Sequence, residues 1–307
     1  MTEEQLAQFL PGSSLFQPNF QIFLNQSGPA DLTLVFSYAP LGSWTSGNSL
    51  GIYKVIADPV QGGLFGRFTR TAPRWATKVL TPTKAQAVGS SKFIYWPTLV
   101  FWHLGKSFDE LQNELPIKQR LVSCVASAKR DLPGHKLRDD FVCQLEDNFD
   151  SVDVYGRGRK VELGNGKWDG IAPYRFSIAI ENTIEDGYFT EKILDCFLAM
   201  TIPIYFGAPD ISDHFPDDSY ITLDSLDPAK IAKWVESGKI GPEAYEHRRE
   251  ALDAARRTVL KDHTLDALIT SLLTSSELGR VQGKQRLETL DSFLHALRDR
   301  LAKMVGR

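Results

Sequence analysis

Residues 174–207 read YRFSIAIENTIEDGYFTEKILDCFLAMTIPIYFG. The first seven residues are almost wholly apolar and rich in β-branched and aromatic types, as in a buried strand. A polar turn follows, then helix formers from Thr190 to Met200, then a second apolar strand over 202–206. One strand–helix–strand unit of this length requires a parallel pair with the helix crossing over it. Glu181, Asn182, Tyr188, Glu191 and Lys192 all fall where the first strand ends and the helix begins. In open α/β sheets ligands bind at that edge, so the segment points to a site.

Upstream, residues 120–127 (RLVSCVAS) form a strand, residues 128–136 a polar loop, and residues 138–149 a helix with Phe141, Leu145 and Phe149 on one face. A further strand is expected at 153–156. This alternation implies a parallel sheet covered on both faces. Earlier still, strands are expected at 31–38, 51–57, 78–81 and 93–96, and a helix at 109–115 ended by Pro116. The style changes at 116–119, which reads as a linker. The division is therefore an N-terminal α/β domain over 1–117, a Rossmann-like domain over 118–280 and a tail over 281–307. In the tail, Leu287, Leu290, Leu294, Leu297, Leu301 and Met304 recur at steps of three and four, which predicts an amphipathic helix. Such a helix packs on the protein body, or serves as a membrane-surface or dimer contact over 287–304.

At 307 residues the chain is long enough for two cores. Its net charge of -3 gives no reason to expect nucleic-acid binding. Three cysteines without metal-ligand spacing argue against a disulfide framework or structural zinc. The acidic start lacks a signal-peptide pattern and no segment has the length of a membrane span, so a cytoplasmic location is expected. No Gly-x-Gly-x-x-Gly, phosphate-loop, Asp-x-Asp, HExxH or CxxC motif is present, which weakens dehydrogenase, kinase and metal-dependent readings.

Thr190 and Glu191 suit a helix start as N-cap and first-turn acid. Lys192 does not, because a cation is disfavoured there unless an anion is also present. A phosphate held by helix N–H groups and the lysine answers that need. Glu191 would then accept ribose hydroxyls. Arg138, opening the helix after the first strand, is unfavourable for the same reason, and its fork suits a diphosphate. Glu181 and Asn182 close the apolar strand and are either loop residues or part of the site. Arg130, Arg157, Arg159 and Lys160 are competing basic candidates with a surface role as the default.

These residues resemble the signature of the α-1,3/4-fucosyltransferases, family 10 of the glycosyltransferases. The family pattern is an apolar strand ending Glu-Asn-Ser/Thr, then Tyr-Val-Thr-Glu-Lys, a helix, Pro-Ile/Val-Tyr/Val and Gly-x-Pro; here Phe189 takes the valine place. SCVASAKRDLPGHKLRDDFVCQL and VDVYGRG resemble its upstream segments, so the likeness covers residues 120–225. The resemblance implies a GT-B arrangement of two facing Rossmann-like domains. It implies transfer of L-fucose from GDP-fucose to a saccharide hydroxyl, with inversion and with no essential metal or other cofactor. Arg138 and Lys192 would meet the donor diphosphate, Glu191 the ribose, Asn182 and Tyr188 the nucleotide, and Glu181 the fucose or the phosphate-binding loop. The family's glutamate base has its nearest counterpart here in Asp58 of Ala57-Asp58-Pro59, so Asp58 is the candidate catalytic base. A different nucleotide sugar, or a non-catalytic nucleotide- or carbohydrate-binding role, remains open at this stage.

Overall fold

The computed structural model describes residues 3–18, 20–21, 28–29, 32–36, 44–46, 51–55, 72–74, 76–98, 102–164, 166–274 and 285–286. The chain divides into two compact units: Met1–Gln17 with Val100–Leu268, and Pro18–Leu99 with Ile269–Arg307. A short helix α1 (Glu3–Ala7) opens the first.

The second unit holds β1 (Leu32–Phe36), β2 (Gly51–Val55), β3 (Lys78–Thr81), helix α2 (Lys84–Val88) and β4 (Phe93–Tyr95). Its four strands pair in parallel in sequence order, with Tyr53 opposite Lys78 and Val79 opposite Phe93. The four strands expected from β-branched and aromatic runs all form. Asp58 lies outside the described residues, as does the expected tail helix over 287–304. Within that tail Gln285–Arg286 is described, paired antiparallel with Trp44–Thr45.

The larger unit continues with α3 (Phe108–Asn113), β5 (Arg120–Val125), α4 (Pro133–Asn148), β6 (Val152–Tyr155), α5 (Trp168–Ile171), β7 (Tyr174–Ile180), α6 (Glu191–Leu198), β8 (Ile202–Phe206), β9 (Ile221–Thr222), α7 (Pro228–Glu236) and α8 (Pro242–Asp262). Five strands form one parallel sheet in the order β6-β5-β7-β8-β9. Six of the seven β7 residues are buried, as a central parallel strand covered on both faces must be. Each fully buried aliphatic side chain contributes about 1.5–3 kcal/mol relative to exposure. The α/β class is therefore that expected.

The division differs from the expected boundary at 117/118. Trp102, Leu104, Phe108 and Leu111 are buried in the same core as Val122, Phe141 and Phe176. Phe9 packs edge-on against Trp102 at 5.0 Å, and Phe108 N donates to Gln8 O. The N-terminal seventeen residues and residues 100–117 therefore join the larger unit. Nor is 116–119 a free linker. Lys118 Nζ donates to Ala172 O, Ala199 O and Thr201 Oγ1, each at 2.7 Å, a three-way clamp under the sheet. No described helix is long and apolar enough to cross a membrane.

Candidate functional site

The sheet order places a topological switch between β5 and β7. From β5 the chain runs outward to β6, then returns to the opposite side of β5 as β7. Connections on either side of such a point diverge and leave a crevice beyond the strands' carboxyl ends. Two polar elements meet there: α4, which follows β5, and Asn182, which follows β7. Pro133 starts α4 at a position where its missing N–H costs nothing. Gly134 comes next because a Cβ there would lie 2.8 Å from the Asn182 carbonyl carbon and closer still to its oxygen. Only glycine admits this approach.

The expected start of α4 at Arg138 is thus five residues late, since the polar letters of 128–136 hid a proline start. Arg138 sits in the second turn, beyond the reach of an argument from the helix end. Burial marks it instead. The residue is 6 % exposed; its NH1 donates to Asn182 Oδ1 at 2.6 Å and its NH2 has only 3.5 Å contacts to Ser127. Its Nε has no hydrogen-bond partner, and among the described residues no carboxylate lies within ion-pair distance. Burial lowers the guanidinium's pKa. A buried cation without a countercharge costs several kcal/mol unless an anion joins it.

Arg138 lines a cavity of about 450 Å³ that also takes in Glu191, Lys192, Lys167, His103 and Arg157. Cys124 and Cys196 lie in its wall as well, their thiols pushed up to about 12 by burial, so they stay protonated.

Helix α6 begins as expected: Thr190 is the N-cap and its hydroxyl accepts from Lys192 N. The countercharge of Lys192 is more local than a phosphate. Glu181, its side chain fully buried, accepts from Thr190 N at 2.8 Å, from Thr190 Oγ1, and from Lys192 Nζ at 3.1 Å. Glu191 Oε1 lies 3.5 Å from the same ammonium. The helix-end cation therefore does not by itself demand an external anion; Arg138 makes that case better. Burial lowers the Lys192 pKa, but Glu181 and Glu191 outweigh it and the net shift is upward. Removing Glu181 from such a buried pair costs about 3–5 kcal/mol.

Glu191 Oε1 also faces Lys167 Nζ at 3.6 Å and His103 Nδ1 at 3.8 Å. Burial pushes this carboxyl up, yet Lys192, Lys167 and His103 hold it well below the usual range. Lys167 Nζ in turn pairs with the fully buried Asp195 at 2.9 Å. Asn182 reaches the cavity only through Arg138. Tyr188 is 2 % exposed and outside the cavity wall.

Of the other basic residues, Arg159 is buried and paired with Asp139 and Glu146, and Arg130 with Asp139 and Asp140. Arg157 is exposed yet lines the cavity. His103, Lys167 and Asp195 escaped the sequence reading. Asp195 left one trace, an acid inside the apolar run ILDCFL, where burial needs a partner. Nothing in the letters says that the partner comes from residue 167.

The fold and this polar cavity define an α/β domain with a charged site beyond the carboxyl ends of its strands, and comparison with known proteins narrows the class. Residues 115–249 match the family model described as Glycosyltransferase family 10 (fucosyltransferase) C-term. The match takes in the segment whose letters resemble that family's signature. It is 33% identical over 113 residues to the Alpha-(1,3)-fucosyltransferase FucT of Helicobacter pylori, covering 35% of this chain and 22% of that protein. It is also 33% identical over 150 residues to the GDP-fucose protein O-fucosyltransferase 3 of Gallus gallus, covering 44% of this chain and 31% of that one. The chain thus spans less than a third of the length of these relatives. A solved α1,3-fucosyltransferase structure with GDP-fucose aligns over 94% of this chain and 100% of that one, at 14% identity and a TM-score of 0.47.

Proposed function

We propose that the protein is an inverting glycosyltransferase of the GT-B type that transfers L-fucose from GDP-fucose to a hydroxyl of a saccharide acceptor. The observation that carries the reading is Arg138, a buried guanidinium with no carboxylate in ion-pair distance among the described residues, lining a cavity with Glu191 and Lys192 inside the family-matching segment. A diphosphate supplies the missing charge, and the planar fork suits its oxygens.

In this reading Arg138 and Lys192 hold the diphosphate and Glu191 accepts the ribose hydroxyls. Asn182 aims Arg138. Glu181 fixes Thr190 and Lys192, and Tyr188 supports the turn that leads into α6. The acceptor oxygen forms its bond to the anomeric carbon as the bond to the β-phosphate breaks. Its proton passes to a carboxylate, assigned to Asp58, and GDP departs with its charge met by the two cations. Side-chain cations then do the work asked of a metal, and none is required. A cytoplasmic location, with the tail at a membrane surface or a dimer contact, completes the reading.

A second acceptor class has support in the longer match, over 150 residues, to a relative named as a protein O-fucosyltransferase. There the attacking hydroxyl belongs to a protein side chain and not to a sugar.

Calorimetry with GDP, UDP and dTDP, followed by GDP release from GDP-fucose with oligosaccharide and peptide panels, tests all of this. GDP binds and one panel is turned over; Asp58→Asn keeps binding and loses turnover. Binding of another nucleotide with none of GDP refutes the fucosyl donor. Turnover only with peptides selects the second acceptor class.

A further inference from the structure

We infer that Lys167 is a positioning residue of the nucleotide site: by bridging Asp195 and Glu191 it sets Glu191 to receive the ribose hydroxyls, and so makes the site prefer ribonucleotides to their deoxy forms. The inference rests on the nucleotide-donor reading above.

The placement of Lys167 is dictated by backbone. Gly166 has φ +92, and a Cβ there would crowd the Leu104 backbone and Gly105 N at 2.5 Å. This close approach lets Lys167 N donate to His103 O at 2.8 Å, which fixes where the side chain leaves the chain. The ammonium then meets two acids from one face of α6. Asp195 Oδ2 is at 2.9 Å and Glu191 Oε1 at 3.6 Å, the two acids being four residues apart. The other oxygen of Asp195 accepts from His103 N at 2.9 Å. A single buried carboxylate thus ties the segments carrying residues 103 and 167 to the helix that bears Glu191 and Lys192.

A brace between Asp195 and Lys167 alone would be structural. Two further facts point beyond that. Lys167 forms part of the cavity wall, and its second partner is the cavity carboxylate Glu191. The lysines also divide their labour. Lys192 has its own closer acid in Glu181, at 3.1 Å against 3.5 Å for Glu191, whereas Glu191 has Lys167 as its other ammonium partner. A carboxylate accepts both hydroxyls of a cis-diol strongly only when ionised and held in line with them. Lys167 meets both conditions: Asp195 and Glu191 outweigh burial to keep the ammonium charged, and Lys167, Lys192 and His103 keep Glu191 ionised.

The test measures dissociation constants of GDP, 2′-deoxy-GDP and 3′-deoxy-GDP by calorimetry. It uses the full chain, Lys167→Met, Lys167→Arg, and the double variant Lys167→Met with Asp195→Asn, which removes the buried pair together so that neither charge is stranded. The wild type should favour GDP over at least one deoxy form by about tenfold or more, the worth of one charge-assisted hydrogen bond. Both Met variants should lose most of that ratio, GDP weakening while the deoxy form changes little, and Lys167→Arg should restore it. An unchanged ratio, with all three nucleotides weakened alike, reduces Lys167 to a brace and overturns the inference. A wild type that binds GDP without regard to its ribose also overturns it, yet leaves the donor reading standing. A wild type that binds no GDP removes both.

Discussion

Arg138→Met should make the empty protein more stable and abolish its response to GDP. The wild-type guanidinium is 6 % exposed, keeps one short bond to Asn182 at 2.6 Å, and has no carboxylate partner among the described residues. A buried charge with no ion-pair partner costs up to about 3–5 kcal/mol; the charge-assisted bond to Asn182 offsets about 1.5–3 of it, and the more distant Glu181 and Glu191 lessen it further. The deficit is on the order of 1–2 kcal/mol. Methionine fills similar space without charge, and half-buried Asn182 can turn to water, so most of that deficit should be relieved. For a unit of this size each kcal/mol moves the melting temperature by about 2–4 °C, so the variant should melt roughly 2–8 °C higher. With GDP at a hundred times its dissociation constant the wild type gains about 2.7 kcal/mol and the variant, at that concentration, almost nothing. The order of melting should then level or reverse. Scanning calorimetry with and without GDP reads both effects. A variant that melts lower than wild type in the absence of GDP would show Arg138 to be a structural pillar, and the reasoning from its missing partner would fall.

Two further outcomes follow from the same geometry. Gly134→Ala should drive α4 away from Asn182, lowering the urea midpoint by the equivalent of about 1–3 kcal/mol and weakening GDP binding, while Gly89→Ala, whose Cβ meets nothing nearer than 3.8 Å, stays within about 0.5 kcal/mol. Burial lowers the Lys118 ammonium from its ordinary 10.5 while its three oxygen acceptors oppose the fall, so between the lowered value and 10.5 the unfolded chain binds more protons and stability rises with pH. Lys118→Met should flatten that rise between pH 6 and pH 9 in denaturant titrations; an equally steep rise in the variant refutes the assignment.

The reading of β5, β7, α6 and β8 from the letters succeeded because burial on both faces forces continuous apolar runs, which leave little choice of conformation. Thr190 as N-cap was legible for a similar reason, since capping is a local bond within three residues. The start of α4 was less legible: a proline and a glycine usually signal a loop, and here they serve a helix end pressed against Asn182. The boundary at 117 failed because Trp102, Leu104, Phe108 and Leu111 carry no mark of which core they fill.

By itself the sequence determined the alternation of strand and helix, the polar cluster at the end of β7 and the family signature within 115–249. These rest on periodicity and local hydrogen bonding, which act over a few residues. Only the tertiary structure decided which charges are paired. It gave Lys192 the buried Glu181 as its countercharge, joined Lys167 to Asp195 across 28 residues, and left Arg138, among the described residues, without a carboxylate in ion-pair distance at the switch between β5 and β7. Charge pairing depends on distance in space and on burial, and strand order sets both.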